Sequence, residues 1–352
     1  MKWAHLLFSS LLLLTYCQGQ DTQKTISDNV STNEDLSTFS TFLTNATTEE
    51  VRSLLASKGP YTLFAPNNAA FSSANINMLD SVAFSNILKY HIIPGTVKTT
   101  DLKNTQLLPS LLSDPSLVNL PNGKSQVLPV HTYNNSTIIA NASLTKPGLE
   151  ASNGIMHIID KILPIPDKPS QLVSTMNTRT FSEILIKTNM AGLIDSMKGV
   201  TVFVPVESAF GLFKIDTLND SALSDMAKLH VASPAVIYST EFSKSQNLST
   251  LMNQALTFKS ENGSTYVNGV EIIHTDMIAS NGVIHLISGV LSSQLNLADP
   301  PSSNPNQSIP APTLTGPPIR PSIDLFNAAS STLISFTTPL LFALLACCYL
   351  DA

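Results

Sequence analysis

One pattern of hydrophobic and polar positions occurs twice in the chain, each time directly after an Asn-Gly pair. The first copy is NGIMHIIDKIL, residues 153–163, and the second is NGVIHLISGVL, residues 281–291. Successive side chains of a strand point to opposite faces, so His157 and His285 each share a face with the apolar residues two positions away. The other face is apolar too. The pattern predicts a strand that is covered on both sides and includes the histidine.

Two further segments repeat upstream in the same order. TLFAPNNAAF at 62–71 matches TVFVPVESAF at 201–210 with an offset of 139, and His91 matches His230 with the same offset. The offset falls to 128 at the Asn-Gly pair, so the second copy is shorter in between. The proline-rich region Leu102–Pro129 is where loops can vary in length, and we place the difference there. Repeats of about 130 residues have the size of whole domains.

Within each repeat the pattern predicts helices first and strands afterwards. Phe181, Ile184 and Leu185 recur at the spacing of a helix, and the β-branched run Val200–Val204 then predicts a strand. Further helices are predicted at Met78–Tyr90 and Leu218–Leu229. Further strands, with turns at Asn-Gly or Pro-Gly, are predicted at Thr137–Leu144 and Ser264–Ile273.

These motifs together resemble the fasciclin-like domain family. The first copy carries them at Tyr61–Phe71, Tyr90-His91 and Asn153–Ile159. The second copy departs from the family pattern, with Val204 in place of the usual Ala and Leu229 in place of the usual Tyr.

The resemblance spans Ser37–Pro166 and Ser170–Ser293, and we set the domain limits at 22–166 and 170–293. It implies an α+β fold in which each domain is a β-sandwich wedge capped by helices.

The resemblance also implies candidate residues for binding a partner. In relatives that bind cell-surface receptors, an Asp followed by two hydrophobic residues precedes the Asn-Gly strand, and Asp276, Met277 and Ile278 match it. The first copy has Gly148 at this position. Tyr90 and His91 are a second candidate for partner binding, and the alternative is that they link a helix end to the sheet, with a structural role for His91 and His230 alike. The alternative for Asp276 is a turn residue at the entry to the strand. The expected partner is a cell-surface or matrix protein or glycan, or a second copy of the chain.

Both ends of the chain have the composition of processing signals. Residues 1–19 resemble a signal peptide, with a bacterial lipoprotein acylated at Cys17 as the alternative. Residues 294–327 are rich in Pro and Ser and predict an extended stalk. Residues 328–352 have the layout of a GPI-anchor signal, with attachment at Asn327. A retained membrane helix is disfavoured because the apolar tail is shorter than the ~20 residues that spanning requires.

Cysteine and charge narrow the class of protein further. The three cysteines, Cys17, Cys347 and Cys348, all lie in the predicted removable ends, so we expect no disulfide in the mature protein. The formal net charge is −6, which gives no indication of a nucleic-acid partner. We therefore expect the outer face of the plasma membrane, or the cell wall, as the location.

Asn-X-Ser/Thr triplets are dense enough to predict a glycoprotein. The candidate N-glycosylation sites are Asn29, Asn45, Asn134, Asn135, Asn141, Asn219, Asn247, Asn262 and Asn306.

Candidate catalytic chemistry is sparse. His157 and His285 lie on apolar faces, where a histidine is usually a buried group bonded to the backbone, and we assign them structural roles. No histidine pair has metal-binding helical spacing, and the sequence carries no nucleophile elbow or phosphate-binding loop. We therefore expect no cofactor and a non-enzymatic adhesion or matrix-organising protein. The alternative is a surface enzyme acting on cell-wall or matrix glycans.

Overall fold

The computed structural model describes residues 24–57, 59–74, 80–133, 136–212, 215–244 and 248–292. Both repeats fall within the same compact unit of the chain. The predicted leader, stalk and anchor segments lie outside the described residues. The same holds for several individually predicted residues: Cys17, Asn134, Asn135, Asn247, Asn306, Asn327, Cys347 and Cys348.

The first domain begins with helices and continues into a sheet. Its helices are α1 Ile26–Thr32, α2 Ser37–Asn45, α3 Glu49–Ala56, α4 Asn68–Ser73 and α5 Ser81–His91. Its strands are β1 Tyr61–Pro66, β2 Ile92–Pro94, β3 Gln106–Pro109, β4 Val127–Tyr133, β5 Ser136–Ile139, β6 Ala142–Ala151 and β7 Gly154–Ile159. The strand order is β2-β1-β7-β6-β5-β4-β3. Strands β1 and β7 run parallel, and the other neighbours run antiparallel.

The second domain repeats this arrangement. Its helices are α6 Pro169–Thr175, α7 Arg179–Lys187, α8 Met190–Ser196 and α9 Asp220–Leu229. Its strands are β8 Val200–Pro205, β9 Val231–Ala232, β10 Leu248–Ser249, β11 Ala255–Leu256, β12 Phe258–Glu261, β13 Ser264–Val267, β14 Val270–Ala279 and β15 Gly282–Ile287. The sheet order is β12-β13-β14-β15-β8-β9, and β10 pairs with β11 beside it. Strand β15 runs parallel to β8, as β7 does to β1.

The closing strands β7 and β15 are covered on both faces, as their hydrophobic pattern predicts. Met156 and Ile158 face a core that they share with the helices, whereas Ile159 faces a second core between the strands. In the second domain Ile284 and Ile287 divide in the same way. The α+β fold is therefore confirmed, with one core under the helices and another enclosed by the bent sheet.

Side-chain caps set the start of two helices later than the hydrophobic pattern predicts. The Asp80 carboxylate accepts a hydrogen bond from the N–H of Ala83 at 2.7 Å, and Asn219 does the same for Ala222 at 2.9 Å. Such caps satisfy an N–H that the first helical turn leaves unpaired. Helices α5 and α9 therefore begin directly after these residues.

Two predicted strands are in fact hairpins. Ser264–Ile273 is divided between β13 and β14 by a turn at Asn268-Gly269, where both residues have a positive φ. Thr137–Leu144 is divided between β5 and β6 by a turn at Ala140, whose φ is 53°. The predicted turn at Pro147-Gly148 is wrong, because both residues lie inside β6. Pairing of β6 with β7 shifts register here and Gly148 has a φ of 75°, so this is a bulge. No glycine or proline marks the turn at Ala140, so a pattern-based prediction continues the strand through it.

The two domains differ most in the loop that joins two neighbouring strands. Leu108 pairs with Leu128 in the first domain, as Leu248 does with Leu256 in the second. Residues 110–126 connect these strands in the first domain, whereas residues 250–254 connect them in the second. The length difference thus lies within Leu102–Pro129, as predicted.

Candidate functional site

His157 uses both of its ring nitrogens to bond backbone groups of its own domain. Nε2 lies 2.8 Å from the carbonyl oxygen of Val97, and Nδ1 accepts the N–H of Gly148 at 3.1 Å. The ring is buried and stacks against Phe64 at a centroid distance of 5.5 Å. Burial lowers the pKa of His157, which holds the ring neutral, with the proton on Nε2.

His285 repeats this arrangement in the second domain. Nε2 lies 2.8 Å from the carbonyl oxygen of Ile237, and Nδ1 accepts the N–H of Asp276 at 3.2 Å. Burial lowers the pKa of this ring, although the charge of Asp276 and the bond to Ile237 act in the opposite direction. The structure therefore gives both predicted structural histidines backbone partners on each side of the ring.

Asp276 is the counterpart of Gly148 in the bulge opposite the histidine. Its φ is 60°, close to the 75° of Gly148, and this left-handed conformation is one that Asp tolerates better than most residues. The Asp276 carboxylate is buried and accepts the N–H of Ser239 at 2.8 Å together with the Ser239 hydroxyl. The residue therefore acts inside the domain, as a bulge residue within β14 rather than as a turn at its entry.

The other candidate partner-binding residues have little exposed surface. Met277 is half-buried and packs against the core under the helices, and Ile278 is half-buried. The Tyr90 hydroxyl donates to the carbonyl oxygen of Val127 at 3.0 Å, and burial raises the pKa of that hydroxyl. His91 is fully buried. A partner contact at these positions stays a prediction, and it would have to be made with little of each side chain.

His91 and His230 link the end of a helix to the segment that follows the closing strand. In His91, Nδ1 donates to the Ile87 carbonyl at 2.8 Å, and Nε2 accepts the N–H of Leu163 at 2.9 Å. His230 makes the corresponding bonds at 2.7 and 2.9 Å. Burial lowers the pKa of each ring to about 4. Both histidines are therefore neutral at physiological pH, and each carries a bond between two elements.

The asparagine of each Asn-Gly pair has a role that the sequence pattern did not show. Asn153 donates to the carbonyls of Leu55 and Ser57 at the end of α3, and its side-chain oxygen accepts the N–H of Ile26 at 2.8 Å. Ile26 is the first residue of α1. Asn153 thus joins the start of one helix to the end of another.

In the second domain the same amide loses one of these partners. Asn281 donates to the carbonyls of Ile194 and Met197, but its buried side-chain oxygen is without a partner among the described residues. Helix α6 begins with Pro169 at the position that Ile26 occupies in α1, and proline has no N–H to donate.

The glycine of each pair is required by close packing of two strands. A Cβ atom on Gly154 would lie 1.8 Å from the carbonyl oxygen of Tyr61, and one on Gly282 would lie 1.9 Å from that of Val200. Gly154 is also at a φ of 148°. The close approach of the two strands, rather than the positive φ, is what both copies share.

The end of the first domain that carries the Asn-Gly pair is accessible. In the first domain this end is an open cleft of about 730 Å³, lined by Ser57, Pro60, Thr96, Ser152 and Gly154 among others. Its walls are mostly backbone and small side chains. It offers backbone hydrogen-bonding groups rather than a cluster of charges.

Among the described residues, no group of three or more His, Cys, Asp or Glu side chains is placed to hold a metal ion. No helix in the same part of the chain has the length and apolar character needed to cross a membrane.

The predicted glycosylation sites differ in how the folded domains present them. Asn45, Asn219 and Asn262 are exposed. In contrast, the side-chain nitrogen of Asn29 donates to the carbonyl oxygen of Glu150 at 3.1 Å, and the side-chain oxygen of Asn141 is buried.

Comparison with known protein families gives two matches in this chain. The model of the fasciclin domain matches residues 35–166 and 176–293. The predicted domain limits, 22–166 and 170–293, each contain one match.

Several proteins are similar in sequence over both domains. A fasciclin-like arabinogalactan protein of Arthroderma benhamiae is 27% identical over 297 residues, which are 80% of this chain and 70% of that protein. The transforming growth factor-beta-induced protein ig-h3 of Sus scrofa is 27% identical over 69% of this chain, and human periostin is 27% identical over the same share. These matches cover 36% of ig-h3 and 29% of periostin, so the chain spans about a third of the animal relatives.

Among solved structures, a domain pair from the insect cell adhesion molecule fasciclin I aligns with 73% of this chain and 97% of that one. The sequence identity is 20% and the TM-score is 0.36.

Proposed function

Because the chain belongs to the fasciclin domain family, we propose that it is a non-enzymatic adhesion or matrix-organising glycoprotein that recognises a partner through the outer surfaces of its two domains. The observation that carries this proposal is the engagement of the four repeated histidines. Each of them has both ring nitrogens bonded within its own domain. General acid-base catalysis needs a group that can reach the substrate's proton, and these rings are held in structural bonds instead.

The proposed location is the outer face of the cell. A signal peptide at 1–19, a stalk at 294–327 and a lipid anchor at Asn327 would display the domain pair several nanometres from the membrane. Phosphatidylinositol-specific phospholipase C should then release the protein from intact cells. Retention of the protein together with its residue 340–350 peptide would contradict the anchor, once an acyl-modified inositol had been excluded.

The partner is proposed to be a surface or matrix protein, a glycan, or a second copy of the chain. Each of these can be bound by a surface of small polar side chains and exposed backbone, such as the cleft beside Ser152 and Gly154.

The direct test uses the secreted form, residues 20–293, on a glycan array and on cell-surface extracts. Saturable binding to one class of molecule, without chemical change in it, is the expected result. Time-dependent cleavage of a polysaccharide by the same preparation would instead favour the surface-enzyme alternative. A preparation that is heat-denatured before the assay is the control for non-specific adsorption.

A further inference from the structure

Asn119 lies in the first domain but makes hydrogen bonds with two segments of the second. Its N–H donates to the carbonyl oxygen of Ser280 at 3.0 Å, and its carbonyl oxygen accepts the N–H of Gly199 at 3.2 Å. Its side-chain nitrogen lies 3.3 Å from the carbonyl oxygen of Ser196 and 3.1 Å from that of Met197. A single half-buried asparagine thus uses its backbone and its amide group to join the end of α8 to the turn before β15.

Further contacts surround these bonds. Gln126, which is fully buried, donates from its side-chain nitrogen to the carbonyl oxygen of Ala279 at 2.9 Å. Pro121 packs so closely against Gly199 that a Cβ atom there would lie 2.4 Å from the proline ring. Val236 of the second domain packs against the core that is enclosed by the bent sheet of the first domain. Polar bonds, apolar contact and burial therefore occur together at this junction.

Beside these loop contacts, strands from the sheets of the two domains also meet. Strand β4 of the first domain lies against β14 of the second. Burial lowers the pKa of His131, and the charge of Asp276 across the junction acts in the opposite direction. The contact is thus wider than one loop.

The contacts from Asn119, Pro121 and Gln126 all come from one loop, which is much longer in the first domain than in the second. Residues 110–126 form this loop, and its shorter counterpart in the second domain is 250–254. The surface that the loop covers is the Asn-Gly end of the second domain. The corresponding end of the first domain is the open cleft beside Ser152.

We propose that the 110–126 loop is an interdomain recognition element whose ligand is the Asn-Gly end of the second domain, and that it holds the two domains as one rigid body. A partner molecule therefore meets both domains in a fixed relative orientation. The inference goes beyond the proposed function and does not depend on it, since the coupling is measured without any partner.

The test compares three variants of the full chain by hydrogen exchange and calorimetry. Asn119→Asp keeps the size of the side chain but places a carboxylate against the carbonyls of Ser196 and Met197. Gln126→Met keeps the volume and removes the donor to Ala279. Lys124→Ala, at an exposed position in the same loop, is the matched control.

The expected result is loss of protection at the amides that bond across the junction. In Asn119→Asp the N–H of Gly199 should exchange at least tenfold faster than in Lys124→Ala, and the calorimetric transition should broaden or split into two. Gln126→Met should show the same effect in smaller measure, and it keeps the proposal testable if Asn119→Asp fails to fold. Exchange at Gly199 that is unchanged in both variants would overturn the proposal, as would equal acceleration in Lys124→Ala.

Discussion

The backbone N–H of Asp276 donates to Nδ1 of His285 at 3.2 Å, because a left-handed residue in the bulge of β14 turns its N–H towards the ring. Gly148 presents its N–H to His157 in the same way. The bulge and the histidine therefore form one unit in each domain. Asp276, which the sequence predicted as a partner contact, occupies the left-handed position that Gly148 occupies in the first domain.

Replacement of either closing-strand histidine by alanine should destabilise its domain by about 2 to 4 kcal/mol. The change leaves a cavity beside Phe64 or Phe203 and removes the partners of two buried backbone groups. Chemical denaturation of His157→Ala and His285→Ala measures the loss, and hydrogen exchange shows in which domain it begins. His274→Ala, at an exposed position of β14, is the control and should change stability by less than about 0.5 kcal/mol.

Loss of a bound metal or of an activity in these two variants, with stability unchanged, would contradict the structural role.

Asp276→Gly should be more stable than Asp276→Ala by about 1 kcal/mol. Both variants lose the bonds to Ser239, but alanine also meets the cost of a left-handed φ, which glycine does not. The comparison isolates the conformational effect, because the lost side-chain contacts are the same. Equal denaturation midpoints for the two variants would show that the positive φ carries no cost at this position.

The sequence predicted the repeat, the order of helices and strands, and the burial of both closing strands because these features depend on side-chain period. It also predicted that His157 and His285 are structural, since a polar ring on an apolar face needs bonded partners. It did not predict the left-handed bulge at Gly148 and Asp276, because a bulge changes register without changing composition.

The sequence also did not predict the contacts between the two domains. The simple expectation from a repeat is two separate cores, yet Val236 of the second domain packs against a core of the first. The length difference between the copies was the one available signal. The predicted position of that difference is confirmed. The composition of residues 110–126, however, does not indicate that Asn119 bonds four backbone groups of the other domain.

Gly154→Ala and Gly282→Ala should each lower the free energy of unfolding by more than about 3 kcal/mol. The new Cβ atom would meet a carbonyl oxygen of the paired parallel strand, so the two strands would have to separate. Gly192→Ala is the control, because its Cβ would have open space around it in α8 and alanine favours a helix by about 1 kcal/mol. Wild-type stability in either strand variant would show that the strands can separate without cost.

Glycans should occupy the exposed triplets of the folded domains. Asn262 lies at the tip of the hairpin between β12 and β13, and Asn219 caps α9 through its oxygen and so leaves its nitrogen available. Asn29 uses that nitrogen to bond Glu150. Enzymatic deglycosylation in heavy-oxygen water, followed by peptide mass spectrometry, should therefore label Asn45, Asn219 and Asn262 but not Asn29. High occupancy at Asn29 would show that the bond to Glu150 is not needed for folding.

Stability should fall as the pH is lowered from about 6.5 to 4, because two buried histidines resist protonation. The pKa of His91 and of His230 in the folded chain is about 4, below the usual 6.5, so in this interval the unfolded chain binds protons that the folded chain does not. The contribution of these two histidines to the free energy of unfolding is complete above pH 6.5 and is lost as the pH falls to 4. Each group should contribute a slope of about 1.4 kcal/mol per pH unit within that window. The lowered pKa values of His157 and His285 act in the same direction.

Urea denaturation at pH 7.5, 5.5 and 4.5 measures this dependence, and a single substitution assigns it. His91→Gln places an uncharged amide beside Ile87 and Leu163, so its stability should be lower at pH 7.5 but should decline less steeply with acid than that of the wild type. His274→Ala is again the control, because it removes a histidine at an exposed position and leaves His91 and His230 in place. A wild-type stability that is constant from pH 7.5 to 4.5 would mean that these histidines are protonated in the fold, contrary to the bonds that His91 makes with Ile87 and Leu163.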